Sequence, residues 1–217
     1  MSFPHPPETA REALEELIRL HPDLAGVVAR AGPLPWRSRA EGFPGLLQAI
    51  VAQMISNQAA AAIWGRLRAI PGALDPAGLL ALPDESLRAA GLSRPKVVHA
   101  RALATAFLDG TLSAERLAAM DDEAAIAAIA GIRGLGRWTA EIYLLFALGR
   151  LDVFPAGDIA LAAAAADLKQ LGQRPNPVQL RVLAEQWRPA RSLAARLLWH
   201  HWRFMTGRPA LDDFPVT

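Results

Sequence analysis

The chain has 217 residues, 52% of them hydrophobic and 20% charged, a balance that fits a globular protein with one sizeable core or two small lobes. Zero cysteines exclude disulfides, thiolate nucleophiles, zinc–thiolate sites and cysteine-held iron–sulfur clusters. Net charge is only +2, and Lys96 and Lys169 are the only lysines, so the cations are nearly all arginine. Arginine suits bidentate phosphate contacts, although compositional bias explains it equally well.

Helical spacing runs through almost the whole chain. Leu14, Leu17, Ile18 and Leu20 predict a short helix after "PHPPET". Phe43, Leu46, Leu47, Ile50, Val51 and Met54 follow i, i+3, i+4, i+7, i+8, i+11, which predicts one apolar stripe on a long helix. "SRPKVVHARALATAFLDG" reads as a helix with Pro95 in its first turn and Gly110 past its end. Asp121, Asp122 and Glu123 put negative charge where a helix start favours it, and that helix runs to about Ala130. Asn176 and Pro177 open another as cap and first-turn proline. "ARSLAARLLWHHWRFMTG" is the last long one, stopped near Gly207. No stretch alternates as a hairpin strand would, and "RLDVFP" is the one short run that could be extended. The expected architecture is all-α, about ten helices with short loops. A single domain over 1–217 is expected, with a central lobe over about 50–150 and a second lobe from 1–49 and 151–217.

One stretch breaks its own helical pattern. In "GIRGLGRWTAEIYLLFALGRLDVFPAGD" a turn, Gly134-Leu135-Gly136, interrupts one helix and starts the next. Two helices joined this way expose backbone N–H groups at the start of the second, and bare glycines let an anion approach. An isolated G-x-G is more often an ordinary corner. Here the flanks extend the pattern: Ile129, Ile132, Gly134, Leu135, Gly136, Ala140, Tyr143 and Leu144 fit hxxhxGhGxxxAxxhh, where h is apolar. A branched side chain at Gly136 is expected to obstruct a bound strand and to strain a positive φ.

This hairpin, 131–140, resembles the helix-hairpin-helix motif, a sequence-independent grip on the DNA backbone. With the Gly/Pro-rich loop ending in aspartate, it resembles the signature of the helix-hairpin-helix (HhH-GPD) DNA glycosylase superfamily. "FPGLLQAIVAQMIS", "GLSRPKVVHARALATAFLDGTL" and "WRPARSLAARLLW" look like three further family segments, so the likeness covers nearly the whole chain. Together they are similar to the DNA-3-methyladenine glycosylase II branch. Met54 departs from the pattern, where a second glutamine is common. The stretch before Phe43 is too short for the β-rich domain some members carry, so a compact catalytic core is expected, with the base cleft between its lobes.

Asp158 precedes the apolar helix "IALAAAAADLKQL", and from position alone it reads as an N-cap. Capping is compatible with chemistry: the dipole and N–H groups of a helix start favour the anion. Such a carboxylate can stabilise the positive charge that builds on a sugar as its base departs, and can orient the attacking water. The resemblance implies that Asp158 is catalytic. It places a lysine at Trp138 in bifunctional members, where an amine attacks the sugar; the indole here implies simple hydrolysis and an abasic product. By resemblance Trp199 lies in the base pocket with Trp138, where π-faces suit a cationic alkylated purine. Tyr143 is a further pocket candidate, one position from a family tyrosine, but it also fits the motif's apolar slot. Gln53 and Met54 stand where relatives insert a wedge into the gap left by a flipped base; Met54 equally continues the buried stripe.

Gly134, Leu135 and Gly136, with Arg133 and Arg137, are the candidates for contact with the DNA backbone. The partner expected is double-stranded DNA carrying damaged bases, and the function is base excision repair of alkylation damage by base flipping, with the protein a monomer. A non-catalytic helix-hairpin-helix module is the main alternative; an interaction domain without DNA contact is another. His200 and His201 point apart on a helix and have no carboxylate at ligand spacing, so no metal is expected. No redox or organic cofactor is expected either, although the resemblance allows a monovalent cation on hairpin carbonyls. No apolar run reaches the roughly 18 residues of a membrane span, and "MSFPHPPE" does not resemble a signal peptide. A cytoplasmic protein, nucleoid-associated in a bacterium, is expected.

Overall fold

The computed structural model describes residues 6–207, and of Asn57 the backbone alone. Within them lie thirteen α-helices, one short 3₁₀ turn and no strand. Local chemistry accounts for most boundaries. Ser56, Ser93, Ser113, Asp121, Asp158 and Asn176 each accept first-turn N–H groups as N-caps. Prolines occupy the first turns that begin at Pro22, Pro76, Arg94 and Pro177, where the missing N–H costs nothing. At the other end, Gly207 (φ +60) stops the last helix.

Two compact units result. Among the described residues, one runs from Ser38 to Leu148, and the other joins 6–37 with 149–207. In the first, α3 (Gly42–Ala52) is the hub and packs on α4 (Asn57–Arg68), α7 (Arg94–Leu108) and α10 (Arg137–Phe146). Its Phe43, Leu46, Leu47, Ile50 and Val51 are all buried, as the stripe predicts. The short α5 (Pro76–Ala81) and α6 (Asp84–Ala89) pack on α7, α8 (Ala114–Ala119) packs on α9 (Asp122–Ala130), and α9 pairs with α10.

The stripe ends earlier than its periodicity implies. α3 stops at Ala52, and Met54 lies outside it in the left-handed region (φ +58), 99% exposed. Lys96 Nζ donates to the Val51 carbonyl at 2.7 Å, capping the helix end where an unpaired carbonyl would otherwise remain.

In the second unit α13 (Arg191–Thr206) is central, with α1 (Glu8–Leu20), α2 (Pro22–Ala31) and α11 (Ile159–Leu168) against it and α12 (Pro177–Ala184) on α11. Ala162, Ala164 and Ala165 of α11 and Ala194 and Ala195 of α13 are buried, and such small side chains let two helices approach closely. Leu20 completes α1 but faces outward.

Candidate active site

The segment that leads to Asp158 is held by the first turn of α13. Ser192 is buried; its hydroxyl accepts the Val153 N–H at 2.9 Å and donates to the Val153 carbonyl at 2.8 Å. The Ser192 N–H donates to the Leu151 carbonyl. Beside it, Arg191 Nε lies 2.8 Å from Asp152 Oδ1, and the same guanidinium donates to the Asp152 carbonyl at 2.7 Å. Buried backbone outside helices needs such partners. One serine and one arginine supply them.

Beyond this clamp the Asp158 N–H donates to the Pro155 carbonyl, and Asp158 caps α11. Its Oδ1 accepts the Ala160 N–H at 2.9 Å and the Leu161 N–H at 3.0 Å. The carboxylate is half-buried at the positive end of the helix dipole, where negative charge is favoured. It cannot swing away without breaking two hydrogen bonds. It is a fixed carboxylate.

The hairpin occupies the other unit. Ile129, Leu135, Ala140 and Leu144 are buried, so these apolar slots pin α9 and α10 to the core. Gly134 has φ +87, and a Cβ there would stand 2.1 Å from the His99 ring. The positive φ expected at Gly136 therefore belongs to Gly134. Gly136 has φ −104 and is the N-cap of α10, with no side chain capping the helix. A Cβ on Gly136 would meet nothing within 4 Å. The turn thus offers first-turn N–H groups behind a bare, open backbone, the geometry that receives an anion.

The flanking arginines divide. Arg133 is exposed. Arg137, expected at a phosphate, is instead engaged inside the hairpin: Nη1 and Nη2 donate to Glu123 at 2.9 and 2.6 Å, and Nε donates to the buried Glu141 at 2.9 Å. The Glu123 and Glu141 carboxylates hold its pKa above the usual arginine value, Glu123 contributing most.

The wedge candidates divide as well. Met54 projects from its turn, whereas the Gln53 amide folds back, Nε2 donating to the Gly134 carbonyl at 3.0 Å and to Thr139 Oγ1 at 3.2 Å. Among the aromatics, Trp138 stands in the first turn of α10 with 38% of its surface exposed, and Trp199 is half-buried on α13. Tyr143 is 1% exposed and its hydroxyl accepts the Gly42 N–H at 2.7 Å. A side chain sealed in this core has no face to give a base, so the motif's apolar slot describes Tyr143 and the pocket does not.

Both lysines are occupied. Lys96 bonds the Val51 carbonyl, and Lys169 Nζ lies 2.7 Å from Asp23 Oδ2 and 2.9 Å from Gln186 Oε1. Among the described residues no three His, Asp or Glu side chains converge as metal ligands. His200 Nε2 donates to the Gly32 carbonyl at 3.1 Å, and His201 pairs with Asp167 at 2.8 Å. At the hairpin, the Ile132 and Gly134 carbonyls already accept the Leu135 N–H and the Gln53 amide, so a monovalent cation would have to share their oxygens.

A family model described as "HhH-GPD superfamily base excision DNA repair protein" matches residues 47–189, which take in the hairpin, Asp158 and most of α3. The chain belongs to this HhH-GPD superfamily. It is also similar to named relatives. The chain is 29% identical over 180 residues to DNA-3-methyladenine glycosylase 1 of Schizosaccharomyces pombe, covering 81% of this chain and 79% of the relative. It is 30% identical over 171 residues to DNA-3-methyladenine glycosylase 2 of Escherichia coli, covering 74% and 57%. A solved structure of the S. pombe 3-methyladenine DNA glycosylase in complex with abasic DNA superposes with a TM-score of 0.80 at 28% identity, over 93% of this chain and 99% of that one. The HhH-GPD all-helical fold expected from the motifs is the fold observed.

Sequence reasoning missed the polar partners that hold these residues. Arg191 and Ser192 lie in a segment read only as a helix and for family likeness, and their partners are 39 residues away. Thr139 and His99 carried no signal of their own.

Proposed function

We propose that this HhH-GPD protein is a monofunctional base-excision-repair glycosylase that flips alkylated, 3-methyladenine-type purines out of duplex DNA and hydrolyses their N-glycosidic bond. Asp158 carries the proposal: a carboxylate fixed by two N–H bonds at a helix start, in a chain whose named relatives are 3-methyladenine glycosylases. As the C1′–N bond breaks, the electron pair leaves with the purine and positive charge builds on the sugar; the Asp158 anion stabilises it. Water then bonds to C1′ and gives up a proton, with Asp158 orienting it or accepting that proton. A purine alkylated at N3 or N7 is cationic and departs neutral, so no acid is required to protonate it. An indole attracts a cationic base by about 0.5–2 kcal/mol, the role proposed for Trp138 or Trp199.

In this reading the open backbone around Gly134, Leu135 and Gly136 takes a DNA phosphate, with Arg133 beside it. Met54 fills the gap in the stack; its exposure and flexible thioether suit that role. Neither lysine amine is free to form a Schiff base, which favours hydrolysis without strand cleavage. The proposal places the protein inside the cell, as a monomer on damaged DNA.

Incubation with an alkylated duplex tests it. Released alkylpurine with an intact abasic strand, nicked only after alkali, is the expected result, and borohydride should trap no adduct. Salt-dependent duplex binding without any base release would favour the non-catalytic module instead.

A further inference from the structure

Gln53 adjoins the exposed Met54, yet its own side chain turns back into the protein. Its amide reaches the Gly134 carbonyl at 3.0 Å, in the middle of the hairpin turn, and Thr139 Oγ1 at 3.2 Å, in the first turn of α10. One side chain therefore ties the turn that presents Met54 to the turn that presents bare N–H groups. Both turns also rest on a single helix. On α7, Lys96 holds the Val51 carbonyl at the end of α3, and the His99 ring fills the space against Gly134. Residues three apart share a helix face, so α7 sets the two turns in one register. Met54 sits at φ +58, a conformation that disfavours any residue with a Cβ and persists where surrounding structure enforces it.

We infer that Gln53 is a positioning residue: it straps the Met54 turn to the hairpin, so that the hairpin's hold on the DNA backbone fixes how deeply Met54 enters the base stack. The inference rests on the proposed role of Met54 as wedge. Unstacking a paired base costs a few kcal/mol, and an unstrapped thioether would be displaced by the closing duplex. The strap therefore matters most for a stably paired lesion and least for one already out of a helix.

Gln53→Ala removes the strap, and Gln53→Glu keeps its shape without N–H donors. Stack opening is read from a 2-aminopurine beside an alkylated purine, with both variants placed in an Asp158→Asn background that leaves the base attached. At saturating protein the opened fraction should fall about fivefold, while affinity for undamaged duplex stays within about twofold and the melting temperature holds. In the otherwise wild-type enzyme, single-turnover excision of a paired lesion should slow about tenfold, and of the same lesion in single-stranded DNA less than about twofold. Adding Gln53→Ala to Met54→Ala should cost nothing further, because both act through one contact.

Unchanged opening in the Gln53 variants, additive losses with Met54→Ala, or equal slowing on single-stranded DNA would overturn the inference. A Met54→Ala protein with full activity would overturn the wedge and the strap together. A wild-type chain that opens the stack but releases no base would sink the glycosylase reading while leaving the strap in place; one that does neither would sink both.

Discussion

The hydroxyl of Tyr143 accepts the Gly42 N–H at 2.7 Å, joining α10 to the first turn of α3 across 101 residues of sequence. Gly42 has φ +68, so the bond secures a helix start that no side-chain cap protects. Burial pushes the phenol pKa above its ordinary value, and the Gly42 N–H opposes the shift in part. The raised value means that the fold prefers the neutral phenol. Its contribution to stability is full below the unfolded value of about 10 and is lost as pH rises through the folded value.

Tyr143 is the chain's single tyrosine, so phenolate absorbance reports on it alone. The folded protein should titrate above the midpoint found in denaturant. Tyr143→Phe leaves the Gly42 N–H without its acceptor and should cost about 1–3 kcal/mol, while removing the alkaline loss of stability. Base excision at neutral pH should survive, since Tyr143 is core. Coincident folded and unfolded midpoints would contradict this, and a variant that folds normally but cannot excise would return Tyr143 to the pocket.

Asp158→Asn isolates the carboxylate's charge. The amide oxygen can still accept the Ala160 and Leu161 N–H groups, so the cap and the fold should persist. What disappears is the anion opposite the developing positive sugar. Single-turnover excision should fall about a hundredfold or more, with duplex affinity within a few-fold. A variant that excises at nearly the wild-type rate would show that another group carries the chemistry.

Helix starts and stops were legible because they are local. Pro95, Asn176 with Pro177, and Gly207 each act within a turn of their own position. The same holds for Asp158, whose cap and whose proposed chemistry draw on one backbone geometry. Met54 shows where local reading stops: periodicity carries the stripe to i+11, but Lys96 takes the Val51 carbonyl and the helix ends first. Six-residue helices such as α5 and α8 are too short to display a period. Arg137 looked like a phosphate ligand because charge beside a Gly-x-Gly turn is visible in sequence, while Glu123, fourteen residues back, is not visibly its partner. Pairings across long stretches, Ser192 with Val153 or Gln53 with Gly134, have no spacing rule to reveal them.

That division between the two arginines can be measured. If Arg133 meets a phosphate, Arg133→Ala should shallow the salt dependence of duplex affinity by ~1 unit of log–log slope. Arg137→Ala should leave the slope nearly unchanged and lower thermal stability, because it strips a partner from the buried Glu141. Reversed outcomes, with a slope change at Arg137 and none at Arg133, would mean that the Glu123 and Glu141 bonds open when DNA arrives.

The two hairpin glycines should fail differently. At Gly134 the backbone is left-handed and any Cβ would strike the His99 ring, so Gly134→Ala must strain φ and displace a packed side chain. Its melting temperature should drop, and weaker DNA binding would follow from the damaged turn. At Gly136 the backbone is extended and the space is empty, so a side chain costs the fold little. Gly136→Val should melt near the wild-type temperature. It would nevertheless place a branched group over the first-turn N–H groups of α10, where a phosphate has to come close. Duplex affinity should therefore weaken about tenfold in a protein that is still folded, equivalent to ~1.4 kcal/mol of lost binding. Gly136→Ala, with one methyl group, should fall between. Calorimetry and filter binding on the same samples separate the two effects. Wild-type affinity in a folded Gly136→Val protein would mean that the open turn is not where the strand is held.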